Sequence, residues 1–403
     1  MTNFNRRDFL KTGAVMAAAS GAGLAGALLP GSVAYAQSGP AKLRVGLMLP
    51  FTGTYTQLGI AIENGFRLAL AERGGKFAGR EIEFFKVDDE SDPAKASENT
   101  NKLVQRDKVD VLIGTVHSGV QMGMVKIARE TGVLHIIPNA GAGAATGALC
   151  APNIFRTSFT NWQAIYPLGK HVYDKGQKSA VFITWKYGAG EEAMEGFKEG
   201  YTKAGGKIVK EIFLPFPNVE FQALLTEIAA LKPDAVACFF AGGGAAKFIR
   251  DYAAAGLRGK IPLYGSGFLT DGILDAVGDS AEGLETTLHY GDGIDTKRNN
   301  GFRLAYAKTF KLQPDVYAVQ GYDAGLLLAA GLDAVKGDFG NKAGLLKAME
   351  TAKIDSPRGA WTMSPAHNPV QDIYLRRVVG KENKVVGVAQ KALADHARGC
   401  KMA

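Results

Sequence analysis

The chain has 403 residues, 46% of them hydrophobic and 21% charged, with a formal net charge of +8. This composition excludes a disordered or fibrous chain, and the length allows two domains with filled cores. The basic excess is spread out and forms no clustered face interleaved with aromatics, so it implies solubility and a mild pull on anions, with no nucleic-acid partner.

Residues 1–36 read as an export signal. Arg6-Arg7 followed by Asp8-Phe9-Leu10-Lys11 resembles the twin-arginine type. An Ala/Gly-rich run then leads to Ala34-x-Ala36, a small-residue cleavage site. The run has too much Ala and Gly for a good membrane span. The segment carries three basic and one acidic residue, so its removal would leave a net charge of +6. No Cys lies near the cleavage site, which argues against a lipid anchor and for a free protein in a periplasm. The product is expected to be monomeric and not membrane-embedded.

From Lys42 the pattern alternates. Strands are predicted at 43–49, 81–87, 109–114 and 133–137, with helices at 57–73, from Pro93 to about Arg106, and at 118–131. The pattern then restarts, with strands at 179–185, 206–215, 234–240 and 261–265 and helices at 189–204, 220–231 and 243–256. Helices near 297–310, 316–336 and 341–352 follow, then a strand at 370–380. Alternation of this kind implies an α/β fold of two doubly wound parallel-sheet lobes. The short extended stretch "FRTSFT" (155–160) has the character of a hinge crossing. Export permits disulfides. Cys238 lies in the apolar run "AVACFF" and is expected to be a buried free thiol; Cys150 and Cys400, both in loop-like sequence, are expected to pair.

Several chemistries find no support. The six histidines show no metal-ligand spacing, and no Cys-x-x-Cys occurs, so no metal and no cofactor are expected. "DDESD" (88–92) lacks the glycine turn of a calcium loop. No nucleophile elbow and no phosphate-binding Gly-x-x-x-x-Gly-Lys motif occurs. The run "IIPNAGAGAATG" (136–147) has the glycines of a dinucleotide loop, yet it follows the fourth strand and opens no helix. A second small-residue loop, "FAGGGAA" (240–246), follows a strand of the second unit. Two bare loops at strand ends, one per unit, suggest facing edges of a ligand cleft.

The stretches "LPFTGTYTQLG" (49–59), "ENGFRLALAERGG" (63–75), "VDDESDPAKA" (87–96), "LIGTVHSG" (112–119), "IIPNAGA" (136–142), "APNIFRT" (151–157), "FIRDYAAAGL" (248–257), "SAEGL" (280–284) and "QGYDAGLLLA" (320–329) follow one another along 42–400. Together they resemble the branched-chain amino-acid-binding (Leu/Ile/Val) type of periplasmic solute receptor that serves ABC importers. The resemblance implies a type I periplasmic binding protein: two lobes joined by a three-strand hinge, closing on one small solute. It divides the chain into lobe 1 (37–157 plus 290–355) and lobe 2 (158–289 plus 356–403).

The resemblance also implies site residues. Ser118 with the Gly119 amide would take a ligand carboxylate. Asn139, Ala140 and Gly141 would offer loop contacts, with glycine where the family carries a hydroxyl. Tyr187 of "YGAG" would face the cleft, together with Tyr55 of the first stretch. Ala241 and Gly242 stand where the family has a bulkier wall. Gly267 of "YGSGFLTD" stands where amino-acid receptors carry the acid that pairs with the ligand's ammonium. A buried ammonium without an anion is costly, so the ligand should be a carboxylate without an α-amino group. Phe268, with Phe240, Trp185 and Tyr187 nearby, would suit a flat ring, and His117 is a candidate donor to a ring hydroxyl. The wording of "GTVHSG", "PNAGA" and "GFLTDG" is similar to the aromatic-acid-binding subgroup. The expected function is capture of a hydroxybenzoate-like acid for an ABC permease and its ATPase. Receptors for a branched-chain amino acid, an amide or an aliphatic carboxylate, and a sensing subunit, remain alternatives. An enzyme is disfavoured for want of a nucleophile–base pair or cofactor loop.

Overall fold

A computed structural model describes residues 41–403, so the expected export segment lies outside the described residues. The chain from Lys42 alternates between strand and helix because apolar strand runs are punctuated by capping residues and glycine turns. The first sheet contains β1 (Leu43–Leu49), β2 (Lys76–Phe77), β3 (Arg80–Asp88), β4 (Val111–Ile113), β5 (Leu134–Ile137) and β6 (Ile154–Arg156), in the order β2-β3-β1-β4-β5-β6. All its pairings except β2 with β3 are parallel. Leu43, Val45, Leu47, Met48 and Leu49 of β1 are buried on both faces of the strand, as a helix-covered parallel sheet requires. The covering helices include α1 (Thr56–Ala71), α2 (Pro93–Asn101) and α3 (Ser118–Thr131). Asp92 caps α2 by accepting the Ala94 N–H. That helix ends at Asn101, earlier than expected, because residues 102–106 widen into a π turn.

The second sheet is reached through α4 (Asn161–Asp174) and holds β7 (Ser179–Lys186), β8 (Lys207–Pro215), β9 (Ala235–Phe239), β10 (Leu263–Ser266) and β11 (Glu285–Leu288). Between them run α5 (Gly188–Lys203), α6 (Gln222–Leu231), α7 (Gly242–Ala254) and the one-turn α8 (Leu274–Val277). The parallel order is β8-β7-β9-β10-β11. Both sheets therefore wind in the same sense, second strand, first, third, fourth, fifth. The chain then supplies α9 (Lys297–Phe310), α10 (Val316–Ala334) and α11 (Lys342–Glu350), and α10 packs along α1. It returns as β12 (Thr362–Met363), β13 (Pro369–Val379) and β14 (Glu382–Leu393): β13 extends the second sheet antiparallel to β11, and β12 and β14 each pair antiparallel with β13.

The chain thus passes between the sheets three times, at 157–160, at 289–296 and within 351–361. The two doubly wound lobes and their triple crossing match the expected type I architecture. Most expected elements appear within two residues of their expected ends. Helices α4 and α8 and strands β2, β6, β11, β12 and β14 go beyond the predicted elements. A Cys150–Cys400 disulfide ties the chain beyond β14 to the loop before β6, with Cα atoms 5.5 Å apart. Cys238 is a buried free thiol on β9. No helix among the described residues is long and apolar enough to cross a membrane.

Candidate functional site

Ligands of doubly wound sheets sit beyond the carboxyl ends of the strands, where the strand order reverses. In each sheet that point lies between the first and third strands. The loops there carry Tyr55 (after β1), Ser118 (after β4), Tyr187 (after β7) and Ala241 (after β9). The two rims face each other across a narrow cavity with an empty volume of about 300 Å³. Two larger hollows, about 1570 and 2010 Å³, are open grooves that contain none of the expected side chains.

Seven expected residues line the cavity: Tyr55, Ser118, Asn139, Gly141, Tyr187, Ala241 and Phe268. Ser118 begins α3, a 14-residue helix whose N-terminus favours a negative charge. Its Oγ accepts a hydrogen bond from Asn161 Nδ2 at 3.3 Å, which leaves its own proton to donate. Asn139 Nδ2 donates to Gln320 Oε1 at 2.6 Å. Below this loop lies Arg156, fully buried, which donates to the carbonyls of Ala140 and Ala142, to Thr146 Oγ1 and to Asn368 Oδ1. All four acceptors are neutral, so the guanidinium charge is left uncompensated by contact; burial lowers its pKa to about 10, and it remains a cation at neutral pH.

The other wall is apolar. Phe268 packs on Phe159 with ring centroids 4.6 Å apart, and Phe239, Ala189 and Ala241 complete the surface. The rims touch directly. The hydroxyls of Tyr55 and Tyr187 are 3.0 Å apart, and Glu192 of α5 accepts the Gly143 N–H at 3.1 Å and the Asn161 amide at 2.8 Å. Burial raises the Glu192 carboxyl above its ordinary range.

Five expected residues stand off the wall, each for a visible reason. The Gly119 N–H is taken by His117 Nδ1 at 3.1 Å. His117 itself stacks behind Tyr187, centroids 4.8 Å apart, so it supports that ring and does not line the cavity; burial lowers its pKa to about 4, leaving it neutral. The Ala140 N–H is spent on Thr115 O at 2.8 Å. Gly242, at φ +57°, lets the opposite rim come close: a Cβ there would lie 2.4 Å from Thr54 O. A Cβ on Gly267 would lie 2.2 Å from Arg376 Nη2, which donates to the Gly267 carbonyl at 2.9 Å. The place expected to lack an acid is thus filled by a buried guanidinium, itself paired with Asp271 at 2.7 Å. Trp185 and Phe240 lie in the core below the wall.

Asn161, Phe159, Phe239 and Tyr317 line the cavity without having been foreseen. Asn161 also explains the glycine at 141: a Cβ there would lie 2.4 Å from Asn161 Oδ1, so the amide occupies the space of the missing hydroxyl. The readable signal was Thr160-x-x-Gln163, a capping box that starts α4.

Residues 42–383 match the periplasmic binding protein family. A solute-binding protein of an ABC transporter from R. palustris, solved in complex with benzoate, is 54% identical, with a TM-score of 0.88 over 89% of this chain and 99% of that one. One from Rhodopseudomonas palustris BisB5, in complex with 3,4-dihydroxy benzoic acid, is 32% identical, with a TM-score of 0.83 over 88% of this chain and 99% of that one. The Leu/Ile/Val-binding protein homolog 6 of Brucella abortus (strain 2308) is 30% identical, covering 87% of this chain and 90% of its own.

Proposed function

The chain belongs to the periplasmic binding protein family, and from that premise we propose that it is a receptor that captures a small aromatic carboxylate by lobe closure and delivers it to an ABC permease and its ATPase. It acts in the periplasm, without turnover of the ligand. The carboxylate enters against Ser118 and the 139–141 loop, where the α3 N-terminus supplies positive potential. The second lobe then swings about the crossings and lays Phe268, Phe239 and Ala241 on the ring.

The observation that carries this reading is Arg376 at Gly267. An α-ammonium needs an anion there, and the backbone at 267 has no room for one. The two relatives solved with benzoate and 3,4-dihydroxy benzoic acid support the same ligand class. A second reading, capture of a branched-chain amino acid, is favoured only by the Leu/Ile/Val-binding relatives.

A thermal-shift screen of residues 37–403, refolded to strip carried-over ligand, tests the two. A ligand at 100 times its Kd adds about 2.7 kcal/mol of stability. Benzoate and hydroxybenzoates should stabilise, and leucine should not. Stabilisation by leucine alone would overturn the ligand class and leave the receptor role standing.

A further inference from the structure

We infer that Tyr317 reads the ring of the ligand: its phenol hydrogen-bonds a hydroxyl carried by that ring, so that the site prefers a hydroxybenzoate to benzoate. The inference rests on the aromatic-carboxylate reading above. Tyr317 is the second residue of α10, fully buried, and part of the cavity wall. Its hydroxyl has no hydrogen-bond partner, and among the described residues it is the only such orphaned side-chain atom on that wall. The other polar side chains there are engaged: Tyr55 with Tyr187, Ser118 with Asn161, Asn139 with Gln320. A buried hydroxyl left unpaired is costly, so such a group in a cavity marks where a ligand atom belongs.

The charges around the cavity say which ligand atom that is. Ser118 stands at the N-terminus of α3, whose dipole favours a carboxylate, while the Arg156 charge nearby is answered at a distance by Glu192 and Asp395. Tyr317 stands instead within electrostatic reach of Asp271, Asp315 and Arg376, two carboxyls against one guanidinium. That quarter offers no net positive charge to a carboxylate. It suits a neutral donor–acceptor group such as a phenol. The Phe268 ring, stacked on Tyr317 with centroids 6.0 Å apart, holds the phenol in place. Burial, with the nearby carboxyls, raises the Tyr317 pKa far above its ordinary value, so its proton is always present to donate. A site arranged to bond a ligand hydroxyl penalises the analogue that lacks it.

The test is titration calorimetry of the wild type and Tyr317→Phe with benzoate, 3-hydroxybenzoate and 4-hydroxybenzoate. In the wild type the better hydroxybenzoate should bind about tenfold or more tightly than benzoate. In Tyr317→Phe, which keeps the ring and its packing, that ratio should fall to about one. Equal wild-type affinities would overturn the inference. So would a loss in Tyr317→Phe that is the same for all three acids, since the tyrosine would then serve the carboxylate or the packing. Failure of the wild type to bind any of the three would sink the aromatic-carboxylate reading itself, and this inference with it.

Discussion

The 43–156 sheet and the 179–288 sheet share one strand order, yet they present different chemistry to the cavity. The first contributes Ser118, Asn139 and Gly141 above a buried Arg156. The second contributes Ala189, Phe239, Ala241 and Phe268. Winding order decides where a site can lie, because it opens a crevice where the strand sequence reverses. It does not decide what the site binds. One rim presents polar groups and a helix N-terminus and the other mostly apolar surface, so their union suits a molecule with one charged and one flat apolar end.

The strongest way to break this division is to put charge on the apolar rim. Gly267→Glu places the acid that an amino-acid ligand would need. Its Cβ would meet Arg376 and Leu288 at 2.2 and 2.6 Å. The expected result is a loss of about 3 kcal/mol in denaturant unfolding and no gain of leucine binding. A stable variant that binds leucine would show that the rim tolerates either chemistry. On the polar rim, Ser118→Ala should weaken benzoate or hydroxybenzoate binding by about 10- to 100-fold, as removal of a hydrogen bond to a charged group does. Its melting temperature without ligand should stay near wild type.

Gly242→Ala probes the contact between the rims. The added Cβ faces Thr54 O at 2.4 Å on a backbone at φ +57°. Closure should suffer, with affinity down about tenfold and a stability loss of about 1 kcal/mol. Small-angle scattering with saturating ligand would register a more open particle, and an unchanged profile would refute the role of this contact.

The smallest effect is expected at the foot of the second sheet, away from its apolar rim. Burial raises the Glu285 carboxyl, but hydrogen bonds from His171 and Arg377, with the charges of His171 and Lys175, outweigh this and hold it at about 2 against an ordinary 4.5. A depressed acid stabilises the fold above its ordinary value, and that stability is lost as pH falls from about 4.5 through 2. Glu285→Gln should lower stability at pH 7 by about 1 kcal/mol and flatten the acid loss, with ligand affinity unchanged. Altered affinity would mean that the foot and the rim of this sheet are coupled.

Much of this was legible in the chain itself. Alternating apolar runs, Pro93 after the Asp92 cap and the glycine stops place most strands and helices, and their doubled series implies two lobes. The resemblance to the solute receptors, carried by motifs that follow strands, is what pointed to Tyr55, Ser118, Asn139, Gly141, Tyr187, Ala241 and Phe268, all of which line the cavity. The same resemblance marked Gly267 as standing where amino-acid receptors carry an acid. Only the tertiary structure brings Asn161 and Tyr317 to the cavity wall and Arg376 to Gly267 behind it. Asn161 starts a helix that follows directly on the stretch that reads as a hinge, and Tyr317 sits near the start of a predicted helix that no motif tied to the site. Arg376 comes from an antiparallel strand more than 100 residues beyond the loop it fills. Local pattern reports which face of an element is buried and where the element ends. It carries no record of which distant element completes the wall, since that follows from the packing of whole sheets and helices across the three crossings.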